Sequence, residues 1–257
     1  FCFFLGMERV ICCPYKKPDA LCRLICFPWA GGGTTEFAQW GELIGSSVEV
    51  SCVRLPGRES RLHEPPAKDV ASIVNEIASI FLKKLQEKPF ALFGHSFGSY
   101  IAFAVALHMK EKYGLEPIHL FVSGAHPPTS ESVLHIQSKN MDKMKDDELF
   151  KEIQLFGGVS SQVLHNEDIK KDLINNFRDD ARVFQTFSFK AETNIPFSCG
   201  ITCFNGSEDI PYELEAWHGL TSGDVSFYKF PGGHFYLLEP SNLNALIKHM
   251  ERCIEYA

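Results

Sequence analysis

Short apolar runs rich in β-branched and aromatic residues alternate along this chain with longer stretches whose apolar positions recur every three or four residues. The first run, 21–27, ends at Pro28-Trp29-Ala30-Gly31-Gly32-Gly33; the second, 48–55, ends at Pro56-Gly57. Both read as strands closed by turns. Asp69 then stands where an N-cap belongs, ahead of Val70, Ile73, Val74, Ile77, Phe81 and Leu85, which share one helix face. Pro89 stops that helix, and 90–93 predicts a short buried strand. A helix follows over 96–114, then strands at 118–123, 200–204 and 225–230, and a closing helix over 243–255. Continuous apolar strands separated by amphipathic helices predict a mostly parallel sheet with helices on both faces, an α/β fold.

One stretch breaks the rhythm. Residues 127–193 are polar, hold no strong strand, and are rich in helix formers such as Asp146-Asp147-Glu148-Leu149-Phe150-Lys151-Glu152. A structureless loop of that length inside a compact domain is disfavoured, so a helical insertion is expected. The 257-residue length suits one domain, expected over 21–257, with 1–20 as an N-terminal extension. The apolar residues 1–5 lack a basic flank and are too short for a signal peptide core, so Met7 is the expected start. What precedes it would be an upstream extension or a gene-boundary artefact. No apolar run is long enough to span a bilayer. A net charge of −7 argues against a nucleic-acid partner. Nine cysteines without regular spacing fit reduced thiols in a cytosolic protein, and no His/Cys spacing suggests a metal site. Neither a Walker pattern nor G-x-G-x-x-G is present, and no cofactor is expected.

The chemistry concentrates in Gly94-His95-Ser96-Phe97-Gly98, a G-x-S-x-G between a short strand and a long helix. In that context the serine occupies a sharp turn that lifts its hydroxyl above the sheet, the nucleophile elbow of α/β-hydrolases. Ser96 is therefore the candidate nucleophile. Among ten histidines, His234 follows the last strand at Pro231-Gly232-Gly233-His234-Phe235, where that fold delivers its base. His95 adjoins Ser96, but its side chain should diverge from it. The orienting acid should lie between serine and histidine, and Asn205-Gly206-Ser207-Glu208-Asp209 closes a strand with two adjacent acids. Asp209 is preferred, with Glu208 the neighbour that spacing alone leaves open. The N–H groups of Phe97 and of Ala30, in the glycine-rich turn, are the expected oxyanion donors.

The triad does not by itself choose among ester, thioester and amide chemistry. Cys26-Phe27-Pro28-Trp29-Ala30-Gly31-Gly32, Arg54-Leu55-Pro56-Gly57-Arg58-Glu59, Gly94-His95-Ser96-Phe97-Gly98-Ser99 and Gly232-Gly233-His234-Phe235-Tyr236-Leu237 together resemble the type II thioesterases. These stand-alone enzymes serve fatty acid, polyketide and nonribosomal peptide synthases, and the likeness is greatest to the medium-chain branch serving animal fatty acid synthase. The resemblance implies an α/β-hydrolase fold with a helical lid insertion, the triad Ser96, Asp209 and His234, and the oxyanion donors Ala30 and Phe97. It further implies a monomer that releases medium- to long-chain fatty acids from phosphopantetheine-linked acyl carrier protein. Two positions depart from the family pattern. Phe97 replaces a usual methionine, and Asn176-Phe177-Arg178-Asp179-Asp180 only loosely follows a Leu-Arg-Ala-Asp lid motif.

Apolar lid residues, among them Phe150 and Phe184, are expected to line an acyl channel, with Trp29 and His126 as further substrate contacts. The alternative is that they simply pack the lid onto the sheet. Arg58 and Arg61, with Arg54 and Lys68, form a basic loop that could dock an acidic carrier protein; internal pairing of Arg58 with Glu59 or another acid is the competing expectation. A general carboxylesterase or lipase, and a non-catalytic acyl-binding protein, are the rival functions.

Overall fold

The computed structural model describes residues 2–191 and 194–257. Thr193, the expected end of the insertion, lies outside the described residues, as do the side chains of residues 1–5, Cys2 among them. In chain order the elements are α1 (Cys2–Val10), β1 (Ile11–Cys12), β2 (Cys22–Phe27), α2 (Thr35–Leu43), β3 (Val48–Val53), α3 (Val70–Glu87), β4 (Phe90–His95) and α4 (Phe97–Tyr113). There follow β5 (His119–Ser123), α5 (Glu131–Ser138), α6 (Asp146–Phe156), α7 (Ser161–His165), α8 (Glu167–Phe184), β6 (Gly200–Gly206), β7 (Val225–Phe230) and α9 (Pro240–Glu255).

The sheet runs in the order β1-β3-β2-β4-β5-β6-β7, every pair parallel except β1 with β3. Strands β2 to β6 are buried on both faces, which is why they read as nearly unbroken apolar runs, whereas the edge strand β7 is partly exposed. Ile25, Phe27, Phe90 and Leu92 face α3 and α4 on one side. Leu24, Cys26, Ala91 and Phe93 face α2 and α9 on the other. The helix at Asp69 starts as its sequence demands: the Asp69 carboxylate accepts the Ser72 N–H at 2.7 Å, completing a capping box. Ile73, Val74, Ile77, Phe81 and Leu85 are its buried face.

Two features depart from the sequence expectation. Residues 1–20 are not wholly an extension, because Ile11 and Cys12 pair with Val53 and Cys52 as the sheet's edge strand and Val10 is fully buried. The short helix α2, unforeseen after the glycine-rich turn, buries Phe37 and Trp40 against Phe93. The insertion is helical, as expected. It comprises α5 to α8 around a core of its own, which includes Leu149, Phe150, Ile174 and Phe177. The eight described cysteines are free thiols. Among the described residues, no helix is long and apolar enough to cross a membrane.

His119 ties β5 to β6 through a 2.7 Å hydrogen bond between its Nε2 and Thr202 Oγ1. Burial, aided by His249, pulls its imidazole down to about 4. The unfolded chain therefore takes a proton that the folded one refuses, so stability is complete above about pH 6.5 and drains away as pH falls toward 4. His95 acts with the same sign. Thermal melts across this window should show Tm falling steadily in the wild type, and His119→Gln should flatten the decline by at most about 3 kcal/mol. An unchanged slope in the variant would assign the acid lability elsewhere.

Candidate active site

Ser96, Asp209 and His234 follow the carboxyl ends of β4, β6 and β7, and Ala30 follows that of β2, across the point where strand order reverses between β2 and β4. Ser96 joins β4 to α4 with φ +54° and ψ −121°, a backbone conformation that L-residues avoid. The turn is held by Ser96 N–H donating to Ser123 O at 2.7 Å and by Ser99 Oγ donating to Gly94 O at 2.7 Å. Its flanking glycines are obligatory for steric reasons. A Cβ on Gly94 would overlap the Gly98 carbonyl, and one on Gly98 would overlap the Phe27 and Pro28 carbonyls.

The loops after β6 and β7 bring acid and base together. A Cβ on Gly206 would strike the Gly233 carbonyl, so these loops can approach only as they do. His234 is 7% exposed, and its Nδ1 lies 2.8 Å from Asp209 Oδ2. Asp209 also accepts the Tyr212 hydroxyl at 2.6 Å and the Ile210 N–H at 2.8 Å. Burial would push the Asp209 carboxyl up, but the hydrogen bonds from His234, Tyr212 and the Ile210 N–H outweigh it and hold the group below its ordinary range. Glu208 is exposed and takes no part in this arrangement.

Below His234 lies a second, fully buried imidazole. His95 Nδ1 is 2.8 Å from Ser123 Oγ, which is 2.6 Å from the Tyr236 hydroxyl. Burial first, and the neighbouring His234 second, depress its pKa far enough to keep it neutral. The His95 and His234 rings are 4.8 Å apart, and Gly124, with φ +59°, is what lets them sit there. A Cβ at Gly124 would come within 3.0 Å of Cε1 of both rings.

Ser96 and His234 open onto a cavity of about 210 Å³ between the sheet and the lid. Ala30 and Phe97 line it, as do Trp29, His126 and Phe184. Phe150 does not: it packs inside the lid with the Lys170 ammonium 4.7 Å from its ring, while Phe156 and Ile153, further along α6, turn toward the cavity. Phe156 places its ring 5.5 Å from that of His234.

The docking role expected for Arg58 and Arg61 is also corrected. Arg58 is 5% exposed and forms a two-pronged pair with Asp180 at 2.7 and 2.8 Å. Arg61 is 3% exposed and bonds Glu64, Glu76 and the Arg54 carbonyl. Neither guanidinium is free to meet a partner. The loop instead braces the glycine-rich turn, with Glu59 accepting from Thr34 N–H at 2.8 Å and from Arg54 Nε at 2.8 Å.

Tyr212 and Asp180 are the site residues that sequence reasoning missed. Only Asp180 carried a signal, as the final acid of the loosely matched lid motif. Among the described residues no group of three or more His, Cys, Asp or Glu side chains is disposed to hold a metal ion.

The chain is similar to known proteins over nearly its whole length. The thioesterase domain family matches residues 22–254. The medium-chain S-acyl fatty acid synthase thioesterase of Anas platyrhynchos is 50% identical, over 97% of this chain and 98% of its own. The Rattus norvegicus protein of the same name is 44% identical, over 96% and 94%. RedJ, a thioesterase from the prodiginine pathway of Streptomyces coelicolor, superposes with a TM-score of 0.82 at 29% identity, covering 93% of this chain and 88% of its own. The chain has the α/β-hydrolase fold and belongs to the thioesterase family.

Proposed function

We propose that this protein is a serine thioesterase that releases medium- to long-chain fatty acids from the acyl carrier protein of a fatty acid synthase, acting as a monomer in the cytosol. The observation that carries the reading is Ser96, poised at φ +54° and opening with the Asp209-paired His234 onto a cavity between sheet and lid. The names and identities of its relatives supply the substrate class.

With the Asp209 carboxylate accepting at Nδ1, the imidazole keeps its proton there and leaves Nε2 free to take that of Ser96. The Ser96 oxygen attacks the thioester carbonyl, and the developing oxyanion is met by the N–H groups of Phe97 and Ala30. Phe97 opens α4, so its N–H belongs to the unpaired first turn, at the positive end of the helix. His234 then protonates the departing pantetheine sulfur. A thiol of pKa about 8.5 leaves easily, so the acyl-enzyme forms without the help an amide would need. Water, deprotonated by the same imidazole, repeats the attack and frees the acid.

The walls favour a hydrocarbon tail, whose burial contributes about 0.8 kcal/mol per methylene. Phe97, Tyr100 and Phe184 cluster on the wall beside Ser96, with the Tyr100 and Phe184 rings 5.0 Å apart. Matched acyl-carrier, acyl-CoA and glyceride substrates would test the assignment. The highest kcat/KM is expected for acyl-carrier thioesters. A preference for glycerides would make the protein a lipase, and acyl binding without turnover would make it a carrier.

A further inference from the structure

Asp180 sits on α8, the lid helix whose Phe177, Ala181 and Phe184 also wall the cavity. It is 2% exposed, yet its side-chain hydrogen bonds run out of the lid. Its Oδ2 accepts the Gly31 N–H at 2.7 Å and Arg58 Nη1–H at 2.8 Å; its Oδ1 accepts Arg58 Nη2–H at 2.7 Å. Arg58 Nη1 also donates to the Gly32 carbonyl at 3.0 Å. One buried ion pair thus grips the glycine-rich turn at two points, both immediately after Ala30.

The grip is geometrically tight. Gly31 has φ +76°, and a Cβ there would lie 3.2 Å from Leu173 Cδ1 and from Phe177 Cβ, so α8 rests directly on the loop. The peptide that carries the Gly31 N–H and the one that carries the Ala30 N–H meet at the Ala30 Cα, so fixing the first leaves only the two Ala30 torsions to set the second. The Gly32 N–H is tied back to the Trp29 carbonyl at 2.9 Å, closing the turn around Ala30. A buried ion pair is seldom the most stabilising filling for its volume, and an apolar pair often serves stability as well or better. What the charged pair adds here is position.

We infer that the Arg58–Asp180 pair is a positioning device that aims the Ala30 N–H at the reacting carbonyl oxygen and makes that aim depend on the seating of the lid helix. The inference rests on the thioesterase reading above and deepens it. The residues touch no substrate atom through their charges; they act through the loop.

Asp180→Asn should lower kcat per Ser96 site, counted by fluorophosphonate titration, on the order of a hundredfold with KM little moved. Its affinity for an alkyl trifluoromethyl ketone, which forms the tetrahedral oxyanion on Ser96, should weaken by the same factor. Affinity for the free fatty acid, which needs only the apolar walls, should hold. The double variant Arg58→Met with Asp180→Leu should regain the Tm lost in either single variant while kcat stays low. The inference is overturned if kcat per titrated site is unchanged in Asp180→Asn, if ketone affinity is retained while activity falls, or if kcat returns with Tm in the double variant. Ser96→Ala made in parallel tests the underlying reading separately: turnover surviving that change would remove the active site itself, whatever Asp180 does.

Discussion

Ser96→Ala is expected to abolish fluorophosphonate labelling and to lower kcat toward acyl-carrier thioesters by about 10⁶-fold, the scale on which nucleophile loss acts when a triad works as a unit. Among the described residues no cysteine lines the cavity to replace the hydroxyl as nucleophile. Whatever rate remains would come from the oxyanion donors and substrate binding. Folding should be indifferent to the change. Alanine also carries a Cβ, so the strain of φ +54° stays in place and Tm should scarcely move. Glycine at the same position would relieve that strain, which costs about 1–3 kcal/mol, and Ser96→Gly should melt higher than the wild type while being equally inactive. Single-turnover kinetics and calorimetry on the three proteins read out both halves. Retained turnover in the alanine variant would move the chemistry away from the elbow.

The parts of this arrangement that were legible in the sequence share a property: the information lies within a few residues. The strand ending at His95, the two glycines around Ser96 and the turn before His234 each announce themselves locally, and the fold's fixed chain order then places Asp209 between them. Where the information is long-range, sequence reading stalls. The partner of Arg58 lies 122 positions away, so a buried clamp and an exposed basic patch look alike on paper. Phe150 and Phe156 are both apolar residues of α6, and periodicity cannot say that one faces the lid's own core while the other meets His234. The edge strand Ile11–Cys12 is too short to show any period, and only its pairing with β3 reveals it. Tyr212 had no motif to mark it, because its importance comes from where the loop after β6 folds.

Asp209→Asn should cost about 10⁴-fold in kcat while leaving the protein folded, and the hydrogen bonds around the carboxylate say why. Oδ1 accepts the Ile210 N–H at 2.8 Å, a donor that an amide oxygen can satisfy but an amide nitrogen cannot. The Tyr212 hydroxyl and the imidazole, both held by Oδ2, can each turn from donor to acceptor as the backbone N–H cannot, so the asparagine places its NH₂ where Oδ2 now receives His234 Nδ1. A donor there demands a lone pair on Nδ1, which drives the imidazole proton to Nε2, the atom that must accept the proton of Ser96. The base is then in the wrong tautomer, although nothing has moved. Tyr212→Phe removes one of several bonds to the same carboxylate and should cost far less, since the His234 contact survives. Glu208→Gln should leave kcat where it is, because that side chain is exposed and outside the arrangement. Measuring the three side by side decides between the adjacent acids. A large loss at Glu208 with little at Asp209 would reverse the assignment, because only the acid that fixes the tautomer of His234 can produce a loss of that size without unfolding the chain.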